Sequence, residues 1–457
     1  MWFTSNWNQM HLQRIFYFFL FILVISSCGI NKNASRQQTS FDKGIQQINH
    51  VVVIYMENHS FDNLYGEFKG ANGIANARKG NFVQVDKDGN PYKFLPEIPR
   101  NNSFPTNLPN NFFNIDQYVP ADKVTPDATH RFYHNQLQIN GGKMDKFALY
   151  NDSKGLAMGY YNTDKLPLYP LAKQYTLCDN FFQSGFGGSY FNHVYLISAG
   201  AAVWPDAPKS LVAKLDASGN LIKDGAITPD GYAINTILSR NKPYPAKSDT
   251  TQLLPAQTIP TIGEGMSEKG VSWAWYSEGW DDAVAGRKNN FAYNHAPFLY
   301  FAKYKEGTEG RKHLKDQNDF LKAAKEGNLP NVSFVKPGGG NDEHPGSSAV
   351  YSSEQLAVKL INAVLEGPNA KDALVILTYD EFGGFYDHVV PPTIDRWGPG
   401  SRIPAIVIGP FAKKGVVDHT QYETVSILSF IEHRWGIKPL AERDKNANPF
   451  RNALVFK

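Results

Sequence analysis

Cysteine is nearly absent from this sequence, which contains two in 457 residues. A metal site built from cysteine thiolates is therefore excluded by number alone. An excess of charge of one sign is also lacking, because the net charge at pH 7 is +3 and no concentrated basic run occurs. Such a chain has no electrostatic support for nucleic-acid binding, and we expect no nucleic-acid partner.

Apolar residues are numerous enough for a large core. They make up 42% of the chain, against 19% for charged residues, so global disorder is excluded. A length of 457 residues suits one large domain or two ordinary ones.

The N-terminus has the pattern of an export signal. His11 and Arg14 precede an apolar stretch over residues 15–25. This stretch is too short to span a bilayer comfortably, but it suits the hydrophobic region of a signal peptide.

The apolar stretch ends in "ISSCG", which resembles a bacterial lipobox, the motif in which a cysteine is lipidated and becomes the first mature residue. The alternative is an ordinary signal peptide with a chance cysteine, but the small residues Ser26 and Ser27 before Cys28 favour the lipobox. Gly29 rather than aspartate follows, which by resemblance to sorted lipoproteins implies the outer membrane. We therefore expect a lipoprotein of the bacterial cell envelope, held to the membrane by a lipid on Cys28.

The predicted organisation has three parts, which are a signal peptide (1–27), a polar tether (28–47) and one domain (48–457). The tether is rich in Asn, Lys, Ser and Gln. With Cys28 lipidated, Cys178 has no partner for an internal disulfide. Its apolar neighbours in "YTLCDNFF" favour a buried, inert thiol.

Within this domain, apolar strand patterns alternate with helical patterns. The strand-like runs are "HVVVIYM" (50–56), "LVILTY" (374–379) and "IPAIVIG" (403–409), and the helical patterns cover 188–201, 353–365 and 424–435. This alternation predicts an α/β fold with a mostly parallel central sheet flanked by helices. Two Asn- and Pro-rich segments, 91–127 and 205–262, are expected to be insertions or a cap.

Ligand-type side chains follow two of the predicted strands. Glu57 and Asn58 come directly after the first run, and Asp380 and Glu381 after the second. In open α/β sheets, ligands bind beyond the carboxyl ends of the strands. Neighbouring carboxylates repel each other unless a cation neutralises them, and these oxygen ligands suit a divalent metal such as Ca, Mg, Mn or Zn. Capping of turns or helices is the alternative, but two such strand ends in one chain favour a metal site.

A candidate nucleophile, Ser189, follows two glycines in "SGFGGSYFNHVYLISAG" and opens a predicted helix. The free backbone N–H groups of a helix N-terminus can hold a phosphate. A helix-capping serine is the alternative. A hydrolase nucleophile elbow is not present, since G-x-S-x-G would need glycine where Phe191 stands.

An ordered set of motifs resembles the bacterial phosphoesterase superfamily, which contains acid phosphatases and phospholipases C. The matching segments are "VVVIYMENHSFDNLYG", "DNFFQSGFGGSYFNHVYLISAG", "NHAPFLYF", "DEHP", "LTYDEFGGFYDHVVPP", "RIPAIVIGPFAKKGVVDHTQYETVSILSFIEHRWG" and "ERDKNANPF". They run in order from residue 50 to about 450. The resemblance implies an alkaline-phosphatase-like core, with a hydroxyl nucleophile beside one divalent metal ion.

Position by position, the resemblance implies roles for the site residues. The metal ligands would be Glu57, Asn58, Ser189, Asp380 and Glu381. Ser189 matches the nucleophile, which is threonine in some phospholipase members. The histidines around the phosphoryl group would be His295, His344 and His130, with His134 as an alternative to the last. Many members have a second histidine before the Asn-Pro-Phe motif, whereas here Asn294 precedes His295, which puts a two-histidine role in doubt.

The expected function is acid phosphatase-like hydrolysis of phosphomonoesters through a phosphoserine intermediate. A protonated histidine, His295 or His344, would donate to the leaving oxygen, which favours activity on the acid side of neutrality. The first alternative is a phospholipase C that cleaves phosphatidylcholine-type phosphodiesters, so the partners are small phosphate esters or phospholipid head groups. A carboxylic-ester lipase and a noncatalytic surface-binding lipoprotein are alternatives from other classes.

Several nearby residues are expected to have supporting roles. We interpret His193, four residues after Ser189, as structural. Asp387 and His388 are expected to support the metal loop without binding the metal. The aromatic cluster "SWAWYSEGW" (272–280) would either stack on a choline head group or pack in the core.

Overall fold

A computed structural model describes residues 40–80, 82–99 and 101–456. Eight of the described strands form one sheet. In spatial order they are β13 (Val416–Asp418), β4 (Thr176–Cys178), β12 (Ala405–Ile408), β11 (Ala373–Tyr379), β1 (His50–Met56), β10 (Val332–Lys336), β8 (Trp273–Ser277) and β9 (Leu314–Asp316). Three two-stranded pairs complete the strands: β2 (Phe113–Asn114) with β3 (Gly159–Tyr160), β5 (Phe181–Phe182) with β14 (Tyr422–Glu423), and β6 (Lys214–Leu215) with β7 (Leu221–Lys223).

The central sheet is mostly parallel. Strand β1 pairs in parallel with β10 on one side and with β11 on the other. Strand β12 runs antiparallel to both of its neighbours, β11 and β4. The predicted α/β fold with a mostly parallel sheet flanked by helices is therefore confirmed.

Strand β1 forms at the centre because its side chains suit burial on both faces. Residues 51–56 are apolar or aromatic and fully buried, and four of the first five are β-branched. Val53 pairs with Phe334 of β10 and with Ile376 of β11. The polar side chains that follow this apolar run therefore begin only after Met56, at the end of β1.

Helices connect the strands. They are α1 (40–44), α2 (Phe61–Tyr65), α3 (Ile74–Ala77), α4 (Phe132–Ile139), α5 (Tyr169–Gln174), α6 (Ser189–Ser198), α7 (Ile262–Glu268), α8 (Trp280–Val284), α9 (Gln317–Glu326), α10 (Val350–Leu365), α11 (Val425–Trp435) and α12 (Glu442–Asn446). The three predicted helices are α6, α10 and α11. Helix α6 ends earlier than predicted because Ala199 adopts a left-handed conformation with φ of 48°.

The two segments expected to be insertions contain few regular elements. Residues 91–127 include β2, with Phe104 packed edge-on against Phe113 at a ring distance of 6.0 Å. Residues 205–262 include the β6–β7 pair and the 3₁₀ turn Thr250–Gln252.

The aromatic cluster of residues 272–280 belongs mainly to the core. Trp273, Trp275 and Tyr276 lie in β8 and are buried. The ring of Trp275 stacks on Phe334 of β10 at 5.7 Å. Core packing therefore explains this cluster, and the choline-stacking alternative is not needed.

The thiol of Cys178 is buried in β4. Burial, together with the charges of Asp418 and Asp179, raises its pKa well above the usual value. The raised pKa fits the inert thiol predicted from the sequence.

The described residues divide into two compact units, one within residues 48–455 and the other formed by residues 40–47 with Phe456. In the second unit, the Phe41 ring contacts Phe456 edge-on at 6.1 Å. Cys28 and the predicted signal peptide lie outside the described residues. Within the described ranges, no helix has the length and apolar character needed to cross a membrane.

Candidate active site

The ends of β1 and β11 bring the two predicted ligand pairs together. The strands are in register up to Met56 and Tyr379, so Glu57 and Asn58 lie beside Asp380 and Glu381. The backbone N–H of Asn58 donates to Asp380 Oδ1 at 3.2 Å. All four ligand-type side chains are fully buried.

The side chain of Asn58 lies among the carboxylates. One of its terminal atoms is 3.0 Å from Glu57 Oε2, 3.0 Å from Asp380 Oδ1, 2.7 Å from Glu381 Oε1 and 3.3 Å from Ser189 Oγ. As the amide nitrogen, this atom donates hydrogen bonds to the surrounding oxygens. As the amide oxygen, it needs a cation beside it to offset its repulsion from those oxygens. A hard divalent ion favours such an oxygen-rich set, so these residues fit the predicted metal site.

The electrostatics of the group also fit a cation. Burial and the charge of Glu57 raise the pKa of Asp380 well above its usual value. Burial and the charge of Asp380 do the same for Glu381. The protein alone therefore penalises these carboxylates in their charged form, and a bound divalent ion would relieve that penalty.

Ser189 is the first residue of α6, and Gly188 is the N-cap. The Ser189 hydroxyl donates to Glu57 Oε2 at 3.0 Å and lies 3.3 Å from Asn58 Oδ1. Ser189 is 3% exposed, and the N-cap position of α6 is taken by Gly188 and not by Ser189. The alternative of a helix-capping serine is therefore wrong for Ser189.

Two of the predicted histidines line the opening of the site. The Nδ1 atoms of His130 and His344 face the backbone carbonyls of Ala128 and Pro345, each at 2.6 Å. Their Nε2 atoms face inward, with His130 Nε2 3.8 Å from Glu381 Oε1. His344 Nε2 lies 2.9 Å from the second terminal atom of the Asn58 amide.

His134, the alternative to His130, faces elsewhere. Its Nδ1 lies 3.4 Å from Asp224 Oδ2. The structure therefore brings His130, and not His134, to the carboxylate group.

The third predicted histidine, His295, is buried against Glu57. Its Nδ1 lies 3.2 Å from Glu57 Oε1 and 3.8 Å from Asp342 Oδ2. Burial and the charge of Lys336 lower the pKa of His295 well below its usual value. Burial therefore disfavours a protonated imidazole at this position.

Three residues at the site had no assigned catalytic role in the sequence analysis. His193, interpreted as structural, has Nε2 3.7 Å from Glu57 Oε1, and its ring stacks on His295 at 4.9 Å. Lys336 Nζ lies 2.8 Å from Glu57 Oε1 and 3.7 Å from Asp342 Oδ2. The third residue is Asp342. The sequence offered one signal for each residue: His193 lies four residues after Ser189, Lys336 ends an apolar strand, and Asp342 belongs to the "DEHP" segment.

Asp387 and His388 form a separate buried group with Asp62 and Arg402. The Arg402 guanidinium donates to Asp387 Oδ1 at 2.9 Å and to Asp62 Oδ1 at 3.1 Å. His388 Nδ1 lies 2.7 Å from Asp62 Oδ2. The group links the segment after β1 to the segment after β11, which matches the supporting role expected for Asp387 and His388.

Exposure identifies the side from which a substrate reaches the site. Among the site residues named above, His130 and His344 are partly exposed, whereas the carboxylates, Ser189, His193, His295 and Lys336 are buried. A substrate must therefore pass the two partly exposed histidines.

A mostly parallel α/β sheet with a serine hydroxyl among carboxylates at its strand ends suits hydrolysis of phosphoric esters, and the chain is a hydrolase of this class. It belongs to the phosphoesterase family, whose sequence model matches residues 48–438. The resemblance found in the sequence is thereby confirmed.

The chain is also similar to several known proteins. Phospholipase C B of Mycobacterium tuberculosis is 26% identical over 437 residues, which cover 86% of this chain and 74% of that protein. Hemolytic phospholipase C of Pseudomonas aeruginosa is 26% identical, with coverage of 90% and 55%. Non-specific phospholipase C3 of Arabidopsis thaliana is 24% identical, with coverage of 87% and 72%. A crystal structure of a Vibrio parahaemolyticus protein in the alkaline phosphatase superfamily has a TM-score of 0.33 and 10% identity, with coverage of 71% and 75%.

Proposed function

We propose that this protein hydrolyses phosphomonoesters through a phosphoserine on Ser189, with one divalent metal ion bound beside it. The hydrogen bond from Ser189 Oγ to Glu57 Oε2, at 3.0 Å within the carboxylate group, carries this proposal. A lipase relay is disfavoured because the recorded hydrogen-bond partners of this hydroxyl are a carboxylate and an amide, and neither is a histidine.

Glu57, Asn58, Asp380, Glu381 and Ser189 would hold the ion. When bound, a divalent ion there neutralises phosphoryl oxygens and lowers the pKa of a nearby hydroxyl. The identity of the ion follows from measurement, since Ca, Mg, Mn and Zn all accept oxygen ligands.

The residues of the chain then act in sequence. Glu57 Oε2 accepts the hydrogen bond of Ser189 and holds Oγ in place for attack on phosphorus. The first backbone N–H groups of α6 lack intrahelical acceptors and can bind phosphoryl oxygens. Ser189 passes its proton to Glu57 Oε2 as Oγ bonds to phosphorus, and the P–O bond to the alcohol breaks. Water later attacks phosphorus and releases phosphate from Ser189.

His344 is our choice of proton donor to the leaving alcohol, with His130 beside it. Their rings lie 5.4 Å apart at the opening, where the alcohol leaves. Because Nδ1 of each ring faces a backbone carbonyl, Nε2 is the atom that can carry a proton to the substrate. His295 was the other candidate donor, but its lowered pKa disfavours that role.

The enclosed site supports a phosphomonoester as substrate, because a terminal phosphoryl group can enter end-on past the two histidines. Phospholipase C activity is the second candidate. It is supported by the similarity to the mycobacterial and pseudomonad phospholipases C across 86% and 90% of this chain. Phospholipid head groups would then replace small phosphate esters as substrates.

Turnover of p-nitrophenyl phosphate and of p-nitrophenyl phosphorylcholine separates the two candidates. We expect the monoester to have the higher kcat/KM, with activity lost after chelation and restored by a divalent ion. A preference for the phosphorylcholine diester would favour the phospholipase C candidate. Activity that survives complete metal removal would contradict the metal-dependent mechanism.

Replacement of the nucleophile tests the mechanism itself. Ser189→Ala should abolish the acid-stable phosphoenzyme while the fold is kept, whereas Ser189→Thr should retain measurable activity because it keeps a hydroxyl. Ser198→Ala is a matched control, since Ser198 ends the same helix and its hydroxyl donates to Val194 O at 2.8 Å. Peptide mapping that finds the label on another serine would reject Ser189 as the nucleophile.

A further inference from the structure

Lys336 is a buried ammonium at the end of a central strand. It is the last residue of β10, next to β1, and its side chain is 2% exposed. A lysine in such a place needs charged partners, because an unpaired buried charge strongly destabilises a fold. Its partners are Glu57 and Asp342, at 2.8 Å and 3.7 Å from Nζ.

The two carboxylate oxygens of Glu57 face different groups. Oε2 accepts from Ser189 at 3.0 Å, on the side of the proposed metal ligands. Oε1 faces Lys336 Nζ at 2.8 Å, His295 Nδ1 at 3.2 Å and His193 Nε2 at 3.7 Å. Glu57 is therefore shared between the nucleophile and a second group of ligand-type atoms.

That second group has the composition of a metal site. Glu57, His193 and His295 each offer one ligand atom, and these atoms lie within 4.8 Å of one another. His193 Nε2 and His295 Nδ1 are buried and make no hydrogen bond with the described residues, and Glu57 Oε1 has Lys336 Nζ at 2.8 Å. A carboxylate with two imidazoles would suit a transition-metal ion such as Zn²⁺.

We propose that Lys336 takes the place of a second metal ion at this group. Its ammonium supplies a positive charge to Glu57 Oε1 and keeps a divalent ion away from His193 and His295 by occupancy and repulsion. Because Lys336 holds Oε1 of Glu57, the other oxygen, Oε2, stays directed at Ser189. Lys336 is thus a positioning residue, and it makes the site mononuclear.

The proposal rests on the metal-dependent function proposed above, and metal stoichiometry tests it. Metal-free protein is titrated with Zn²⁺ by calorimetry, and bound zinc per chain is measured by mass spectrometry after dialysis. The wild type should bind one ion. Lys336→Ala should bind a second ion, and the double variant Lys336→Ala with His193→Gln should return to one.

Activity gives a second readout. Lys336→Ala should lose turnover of p-nitrophenyl phosphate when one ion is bound and regain part of it as the second ion binds. Lys322→Ala, which removes an exposed lysine from α9, should bind one ion and keep normal turnover.

The results separate failure of this proposal from failure of the proposed function. A wild type that binds no ion would contradict the metal-dependent function. Two ions in the wild type would overturn the role of Lys336, and this measurement needs no variant to fold. A folded Lys336→Ala protein that still binds one ion with unchanged affinity would overturn it as well.

Discussion

The side chain of Asn58 lies between the carboxylates that follow β1 and β11. Its backbone is in the left-handed region, with φ of 65°, which asparagine tolerates better than most residues. An amide also offers an oxygen to a cation without adding a negative charge. Both properties explain an asparagine where the neighbouring residues are acidic.

The carboxylates give a direct test of the metal site at the scale of single residues. Glu57→Gln and Asp380→Asn each remove one negative charge from the proposed ion, so bound metal and kcat should fall together. Metal per chain and turnover are measured on the same preparations.

Glu354→Gln is the matched control for these variants. Glu354 is also fully buried, but it accepts from the backbone N–H of Leu168, and burial raises its pKa to about 8. An uncharged replacement should therefore leave metal content unchanged. Full activity and full metal content in Asp380→Asn would contradict the site described here.

Some of the site residues could be predicted from the sequence because they follow apolar strands directly. Glu57 and Asp380 have this position, and the parallel sheet brings the two strand ends together. Lys336 has the same position, but a lysine is usually exposed, and its burial depends on partners from distant segments. The packing of His193 against His295 likewise depends on the tertiary fold.

At the scale of elements, the segments after β1 and β11 pack closely against each other. Gly383 has φ of 64°, and a Cβ at this position would overlap the backbone carbonyl of Asn58. Only a residue without a side chain allows this approach. The spacing of the two ligand pairs therefore depends on this glycine, whose backbone N–H also donates to Glu381 Oε2 at 2.8 Å.

Alanine substitution should show the effect of this close contact. Gly270 has a similar φ of 67° but open space around the same position, so Gly270→Ala should cost about 1 kcal/mol for the backbone conformation alone. Gly383→Ala should cost clearly more than about 2 kcal/mol and should weaken metal binding. Urea unfolding and zinc titration check both variants. An equal loss of unfolding free energy in the two variants would contradict the close contact between Gly383 and Asn58.

A charged group joins the same two segments, and its contribution to the unfolding free energy should depend on pH. It consists of Asp62, Asp387, His388 and Arg402. Burial opposes protonation of His388, but the hydrogen bond to Asp62 and its charge outweigh burial and raise the pKa of His388. Its Nε2 also faces Asn72 Oδ1 at 3.1 Å, so a ring with both nitrogens protonated satisfies both oxygens.

A raised folded-state pKa means that His388 stabilises the fold fully below its unfolded pKa of about 6.5 and loses this effect as pH rises through the folded value. His388→Gln should therefore flatten the fall in unfolding free energy as the pH rises above about 6.5. His433→Gln, which alters a histidine bonded to the backbone carbonyl of Ser429, is the control. If the slope of unfolding free energy against pH is unchanged in His388→Gln, the pair of His388 and Asp62 is not the source of the pH dependence.

Long apolar elements could be predicted from the sequence, and short ones could not. Strand β1 has six buried residues and β11 has seven, whereas β9 and β13 are only three residues long and depend on neighbouring strands for their pairing. The antiparallel direction of β12 was also not predictable, because an apolar pattern reads the same in either direction.

At the scale of the whole molecule, we propose that the protein is anchored to the bacterial envelope through a lipid on Cys28. The sequence "ISSCG" after an apolar stretch supports this proposal. Cys28→Ser should abolish labelling by a radioactive fatty acid and release the protein from the membrane fraction. Cys178→Ser is the control, because that buried thiol should carry no lipid; undiminished labelling of Cys28→Ser would refute the anchor.

The position of β1 in the sheet also determines when folding can be completed. Its first residues pair with Val332 and Ala373, although β1 itself starts at His50. A ribosome therefore makes the central strand first and both of its neighbours hundreds of residues later, and closing such long loops is slow. Until residue 379 has emerged, the sheet lacks its middle and Glu57 has no Asp380 beside it. This order of synthesis postpones completion of the central sheet until most of the chain has been made.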